Sequence, residues 1–332
     1  EHGVETISGL RKVTRPEQLN MIHTDNSSGL AWYSVLLGFP VLGVWYWCTD
    51  QTIVQRVLGA KTQQDAQIGA LFAGFLKILP VFIMVFPGVI GYVLFENLIG
   101  EDSNQTLPIM IDQLVPTGLK GLIVAGLLAA LMSTISAALN SSSTLVAVDI
   151  VTRLKPGISD SSQVKIGRIS AIVVMLLAML WSTQGGRYSS IFEAINAIAS
   201  HLAPPITAVF IWGIFWRRGT SQAALTTLIF GFLMGATAFM FDLPLIGNEK
   251  IITDRWGIPF MMQAWWSFCI CSLVFLVVSL STPRPSKEKT DGLTWNHPLE
   301  VVNQGKIRGF TDPRLLAGTL LVVMLTCYYL FR

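Results

Sequence analysis

Charge is the scarcest property of this sequence. Asp, Glu, Lys and Arg make up 13% of its 332 residues, about half the ~25% of an ordinary soluble domain. Histidine is rarer still: His2, His23, His201 and His297 are scattered and form no nucleophile or metal constellation. That pattern argues against hydrolytic and metal-assisted chemistry, and no soluble cofactor motif accompanies it, so the chain is not expected to be an enzyme. Cys48, Cys269, Cys271 and Cys327 all fall inside apolar runs, which leaves no disulfide framework and no zinc spacing to read. The net charge of +3 is too small to argue for nucleic acid.

What is abundant is hydrocarbon. Apolar residues make up 52% of the chain, in runs longer than the ~18 residues that suggest a membrane span. The runs are apolar all round rather than on one face, as bilayer helices are. Eight candidate spans follow: 30–49, 68–96, 118–148, 166–183, 200–216, 223–241, 257–281 and 315–331. Basic residues alternate between the loops. Arg56 and Lys61 follow the first span, Arg153, Lys155, Lys165 and Arg168 the third, and Arg217 and Arg218 the fifth. The positive-inside rule places these loops in the cytoplasm. The expectation is an all-α integral membrane protein of the cell membrane, with 1–29 an extracellular loop. Residues 282–313 then form a cytoplasmic linker and 314–332 a C-terminal transmembrane helix. The chain opens at Glu1 with neither initiator methionine nor leader, and reads as part of a longer protein.

Polar chemistry inside such runs is informative because lipid-facing helices have no use for it. The first span ends Trp45-Tyr46-Trp47-Cys48-Thr49-Asp50-Gln51, and Gly38, Pro40 and Gly43 precede the aromatics. The three helix-weakening residues predict a break within the span that frees backbone groups for a solute, against the plainer reading of a proline kink. Lys77 is a lone cation deep in the second span. Facing lipid it would cost about 3 kcal/mol, so a polar partner inside the bundle is expected. On the third span Ala130, Ser133 and Thr134 stand at i, i+3 and i+4 and share a face. Two hydroxyls and a carbonyl suit a hard monovalent cation. They also suit close helix packing, and spacing alone leaves both readings open.

Taken together these residues resemble the sodium/glucose cotransporters of the solute:sodium symporter family. The likeness lies in Trp45–Gln51 with Ile53-Val54-Gln55-Arg56, Gly74–Pro80, Leu131-Met132-Ser133-Thr134, Leu139-Asn140-Ser141, Asp149-Ile150 and Pro204–Phe210, in order from about residue 30 to 218. The last three spans match only in hydropathy. The resemblance implies a leucine-transporter-like inverted-repeat fold, with residues 30–216 as the second five-helix repeat, 217–281 as two peripheral helices and 314–332 as a third. It implies sodium-coupled import of a glucose- or galactose-like sugar by alternating access. Tyr46 would be the inner gate, Trp47 its stacking neighbour, and Lys77 a hydrogen-bond donor to the sugar. Ala130, Ser133 and Thr134 would hold Na+. Asn196 stands where sugar carriers place glutamine and Gly43 where they place an amide or hydroxyl, which puts substrate identity in doubt. Inositol, sialic acid or a vitamin is the alternative cargo, and a membrane sensor on the same fold the alternative role. The implied partners are a sugar-like solute, Na+, the lipid bilayer, and N-terminal transmembrane helices of the same protein.

Overall fold

A computed structural model of the chain describes residues 14, 20, 22–24, 30–100, 102–183, 188, 190–243, 250–295, 309 and 311–330. Most of the expected 1–29 loop, and His297 and Pro298 of the linker, lie outside the described residues. Among those described there is no strand, and seven helical stretches are long and apolar enough to cross a membrane. The first expected span is an eighth, shorter helix. The chain divides into two compact units, residues 1–89 with 192–332, and residues 90–191.

The larger unit begins with α1 (Trp32–Cys48), α2 (Gln51–Leu58) and α3 (Gln63–Leu76). α1 is continuous through Gly38, Pro40 and Gly43, so the expected mid-span break is not there. Proline costs one helical hydrogen bond, and the surroundings outweigh that loss. The buried Thr207 hydroxyl donates to the Val41 carbonyl at 2.9 Å, and α1 packs along a neighbouring helix. The chain breaks instead just after the aromatics. Thr49 Oγ1 donates to the Trp45 carbonyl at 2.7 Å, and Asp50 caps α2 by accepting from the Thr52 amide at 2.9 Å. A second interruption falls at Lys77 and Ile78, and the chain is helical again at Leu79 and Pro80. It continues as a π-helical stretch, Val81–Val85, and then α4 (Phe86–Ile99).

α8 (Ile191–Phe215), α9 (Ser221–Asp242), α10 (Phe260–Ser281) and α11 (Pro313–Leu330) complete this unit. Its core is the buried cluster Leu42, Ala203, Phe260, Met261 and Ala264. Between bilayer helices apolar transfer contributes little, so close packing and hydrogen bonds must hold them together. Small residues make the approach possible. Added Cβ atoms would meet the Met261 carbonyl oxygen at 2.2 Å from Gly38 and the His201 carbonyl oxygen at 2.2 Å from Gly235. One from Gly231 would meet Pro205 Cβ at 2.4 Å. Gly231 and Gly235 are a small-xxx-small pair on α9.

The end of α9 is tied to α10 by one buried carboxylate. Asp242 accepts from the Ile252 amide at 2.7 Å, the Thr253 amide at 3.1 Å and the Thr253 hydroxyl at 2.6 Å. Gln263 Nε2 on α10 donates to it at 2.8 Å. At the opposite end Arg218 donates to the Thr282 carbonyl at 2.8 Å, and the Thr220 and Thr282 hydroxyls are 2.9 Å apart. An Asp242→Asn substitution turns an amide donor towards existing donors. It should cost about 2–3 kcal/mol, read as a lowered thermal unfolding midpoint in detergent. An unchanged midpoint would show that the negative charge is not what holds this corner.

In the second unit α5 (Thr106–Leu114) precedes α6 (Thr117–Thr144), which continues as a π-helical stretch, Leu145–Val151. α7 (Asp160–Ser182) packs beside α6. Gly167 permits the contact, since a Cβ there would lie 2.5 Å from Ser143 Oγ. Ser142 and Thr144 return their hydroxyls to carbonyls four residues back, each at 2.9 Å, so polar side chains sit in an apolar helix with their donors satisfied. The exterior of α6 is hydrocarbon, with Leu122 at 70% and Met132 at 71% exposed. A soluble protein rarely leaves so continuous an apolar surface open. Outside the spans, a hydrogen bond and the charge of Lys120 hold the Asp112 carboxyl below the usual carboxylate range.

Candidate functional site

The last turn of α1 delivers three aromatic side chains. Trp45 packs on the buried core, while Tyr46 and Trp47 are half-buried. The Tyr46 and Trp47 rings meet edge to face with centroids 5.6 Å apart. Thr49 and Asp50, polar for no evident reason in the sequence, are used in ending α1 and starting α2.

Lys77 reaches these rings from the end of α3. Its ammonium lies 4.7 Å from the Tyr46 ring centroid and 5.7 Å from that of Trp47. A cation over an aromatic face is worth about 0.5–2 kcal/mol, the larger value when water is excluded. Tyr46, Trp47 and Lys77 are therefore brought together, although more than twenty-five residues separate Lys77 from the aromatics. Trp47 and Lys77, but not Tyr46, line a groove of about 580 Å³ walled by Gly74, Ile78 and Phe82, and by Met324, Cys327 and Tyr328 of α11. Among the described residues no acidic side chain lines the groove. An ammonium with three donors beside a wall that is otherwise aromatic and apolar suits a neutral solute that has several hydroxyls and an apolar face. The wall supplied by α11 was not legible in the sequence, where the last span carries no motif.

The remaining expected residues are placed differently. Gly43 is one turn before Tyr46 on α1 and half-buried, with open space where a Cβ would stand. Asn196 on α8 turns its amide back on its own helix, donating to the Phe192 carbonyl at 2.8 Å. Neither lines the Lys77 groove.

Ala130, Ser133 and Thr134 belong to the other unit and share the expected face of α6, where all three are exposed. Thr134 Oγ1 donates to the Ala130 carbonyl at 3.0 Å, within an unbroken helix. That bond uses the hydroxyl proton and leaves the threonine oxygen's lone pairs outward, which is how a neutral oxygen would meet a cation. Among the described residues no group of three or more His, Cys, Asp or Glu side chains could hold a metal ion. A site on α6 would thus depend on neutral oxygens.

Comparison with known proteins identifies the family. A family model described as the sodium:solute symporter family matches residues 3–231, a wider stretch than the 30–218 of the sequence motifs. The sodium/mannose cotransporter of Bos taurus is 35% identical over 305 residues, covering 85% of this chain and 51% of that protein. The human sodium/myo-inositol cotransporter 2 is 34% identical over 308 residues, with 85% and 45% covered. The human sodium/glucose cotransporter 4 is 33% identical over 315 residues, with 87% and 46% covered. The chain spans about half the length of these relatives.

Proposed function

Because the chain belongs to the sodium:solute symporter family and is a multi-pass membrane protein, we propose that it serves sodium-coupled import of a small hydroxylated solute, a sugar of the glucose or galactose type, across the cell membrane. The observation that carries this reading is the Lys77 ammonium, held over the Tyr46 and Trp47 rings, beside a groove with no acidic side chain among the described residues that line it. The sugar's hydroxyls accept from Lys77 while its apolar face lies against Trp47, and Tyr46 closes the inner side. Na+ takes oxygens from Ala130, Ser133 and Thr134, with further ligands from helices outside this chain. In this reading residues 30–216 form the second of two inverted repeats. Once Na+ is bound, the membrane potential favours inward passage by about 2.3 kcal/mol per charge per 100 mV.

The direct test is uptake of radiolabelled sugar by vesicles containing the full-length protein, with and without an inward sodium gradient. Gradient-dependent uptake is expected, and equal uptake in both would remove the coupling. Ser133→Ala takes away one neutral oxygen from a charged ligand, a loss of about 1.5 kcal/mol. The half-saturating sodium concentration should rise by roughly 10-fold with little change in sugar affinity at saturating sodium. An unaltered sodium dependence would return the hydroxyl face of α6 to simple packing.

A second cargo class has support of its own. Gly43 offers no side chain, Asn196 keeps its amide on Phe192, and one relative is named for myo-inositol. Competition by a panel of unlabelled polyols, sugars and organic acids against the transported label would decide between them.

A further inference from the structure

A second groove lies within the smaller unit between α6 and α7. It encloses about 670 Å³, within the ~300–1,000 Å³ of ligand sites. Its two ends differ chemically. Towards the middle of α6 the walls are apolar, from Met132, Ile135 and Leu139. Towards the loop joining the two helices they carry the polar Asn140, Thr144, Gln163 and Arg168 among Ala147, Val148 and Val164. The groove is amphiphilic, and the only ionic side chain among the described residues that line it is a cation, Arg168. Asp149 and Asp160, the acids of this loop end, are not among the lining residues.

The charge around the polar end points the same way. Arg153, Lys155 and Lys165 stand with Arg168 in the loop and the first turns of α7, and the side chains of Arg153, Lys155 and Lys165 are exposed. By the positive-inside rule this end faces the cytoplasm, where anionic lipids concentrate. Basic pockets between membrane helices on that side suit phosphorylated headgroups. Arginine's planar fork also matches two phosphate oxygens at once. The helices touch at Gly167 and Ser143, on the floor of the groove. That contact fixes the cleft independently of any occupant.

We propose that this groove seats one anionic phospholipid, with its phosphate on Arg168 and Gln163, its glycerol region near Asn140, and one acyl chain along Leu139, Ile135 and Met132. By helical spacing Thr134 falls on roughly the opposite side of α6 from Ser136, which lines the groove, whereas Ser133 stands close to the face of Ser136 and Asn140, at the groove's border.

The test uses full-length protein purified in detergent and native mass spectrometry to count retained lipids during titration with phosphatidylglycerol or phosphatidylcholine. The wild type should retain one phosphatidylglycerol at concentrations where phosphatidylcholine is lost. Arg168→Gln should weaken that retention about ten-fold, whereas Arg153→Gln, outside the groove, should change it less than two-fold. Leu139→Trp keeps every charge but fills the apolar end, and should also expel the lipid, so the outcome does not rest on one variant folding. The thermal unfolding midpoint should rise with phosphatidylglycerol and not with inorganic phosphate at equal concentration. Equal retention of the two lipids would overturn the proposal. So would equal losses in Arg153→Gln and Arg168→Gln, or full stabilisation by inorganic phosphate alone.

Discussion

Lys77→Ala is expected to raise the half-saturating sugar concentration for uptake by the full-length protein roughly 10- to 100-fold. A hydrogen bond from a charged donor contributes about 1.5–3 kcal/mol where water is excluded, which converts to that range. Lys77 is exposed on the groove side of α3 and touches Tyr46 and Trp47 through its ammonium. Its removal takes the cation–ring contact from the empty protein and the hydroxyl donors from the loaded one. The unfolding midpoint should therefore move little while affinity falls. Lys77→Arg should recover part of the loss, because it restores the charge over the rings with a different donor geometry. If the alanine variant kept wild-type half-saturation, the lysine would be a structural cation resting on two aromatics, and the cargo site would lie elsewhere.

Gly38→Val should produce the largest loss of stability. The Cβ it adds would stand 2.2 Å from the Met261 carbonyl oxygen, a backbone atom that no rotamer change can move. α1 and α10 would have to separate along a contact that includes Leu42, Met261 and Ala264, residues buried in the core. Overpacking of this kind costs typically 1–3 kcal/mol, and more where backbone must shift. Gly43→Ala on the same helix is the matched control. Open space surrounds its Cβ position, and alanine is favoured over glycine within a helix by up to about 1 kcal/mol. Chemical or thermal unfolding in detergent should place Gly38→Val well below the wild type and Gly43→Ala at or slightly above it. A Gly38→Val protein with unchanged stability would mean that the α1–α10 contact is not as close as described.

The membrane helices were legible in the sequence because apolar windows of bilayer length have few other uses, although α7 and α8 begin well before the expected limits, at Asp160 and Ile191. The meeting of Lys77 with Tyr46 and Trp47 was legible only through family resemblance, since hydropathy does not say which spans touch. The break in the first span was misplaced for a local reason. Gly38, Pro40 and Gly43 weaken a helix considered alone, but Thr207 and the α10 contact come from residues far along the chain. Asp242 gives no signal in the sequence because its partners lie 10 to 21 residues further on. The Gly231–Gly235 spacing is a readable packing signal, and the close approach to Pro205 and His201 is what it encodes. For Ser133 and Thr134 the spacing identifies a shared face, while what stands opposite that face cannot be read from α6.

The bonds at the two ends of α9 and α10 have a mechanical consequence. One end is fastened through Asp242 and the other through Arg218, Thr220 and Thr282. A pair of rods pinned top and bottom cannot slide lengthwise past each other without breaking several polar contacts in a poorly hydrated setting. Any rearrangement involving these helices must carry them as a single stiff panel, which favours pivoting over shear.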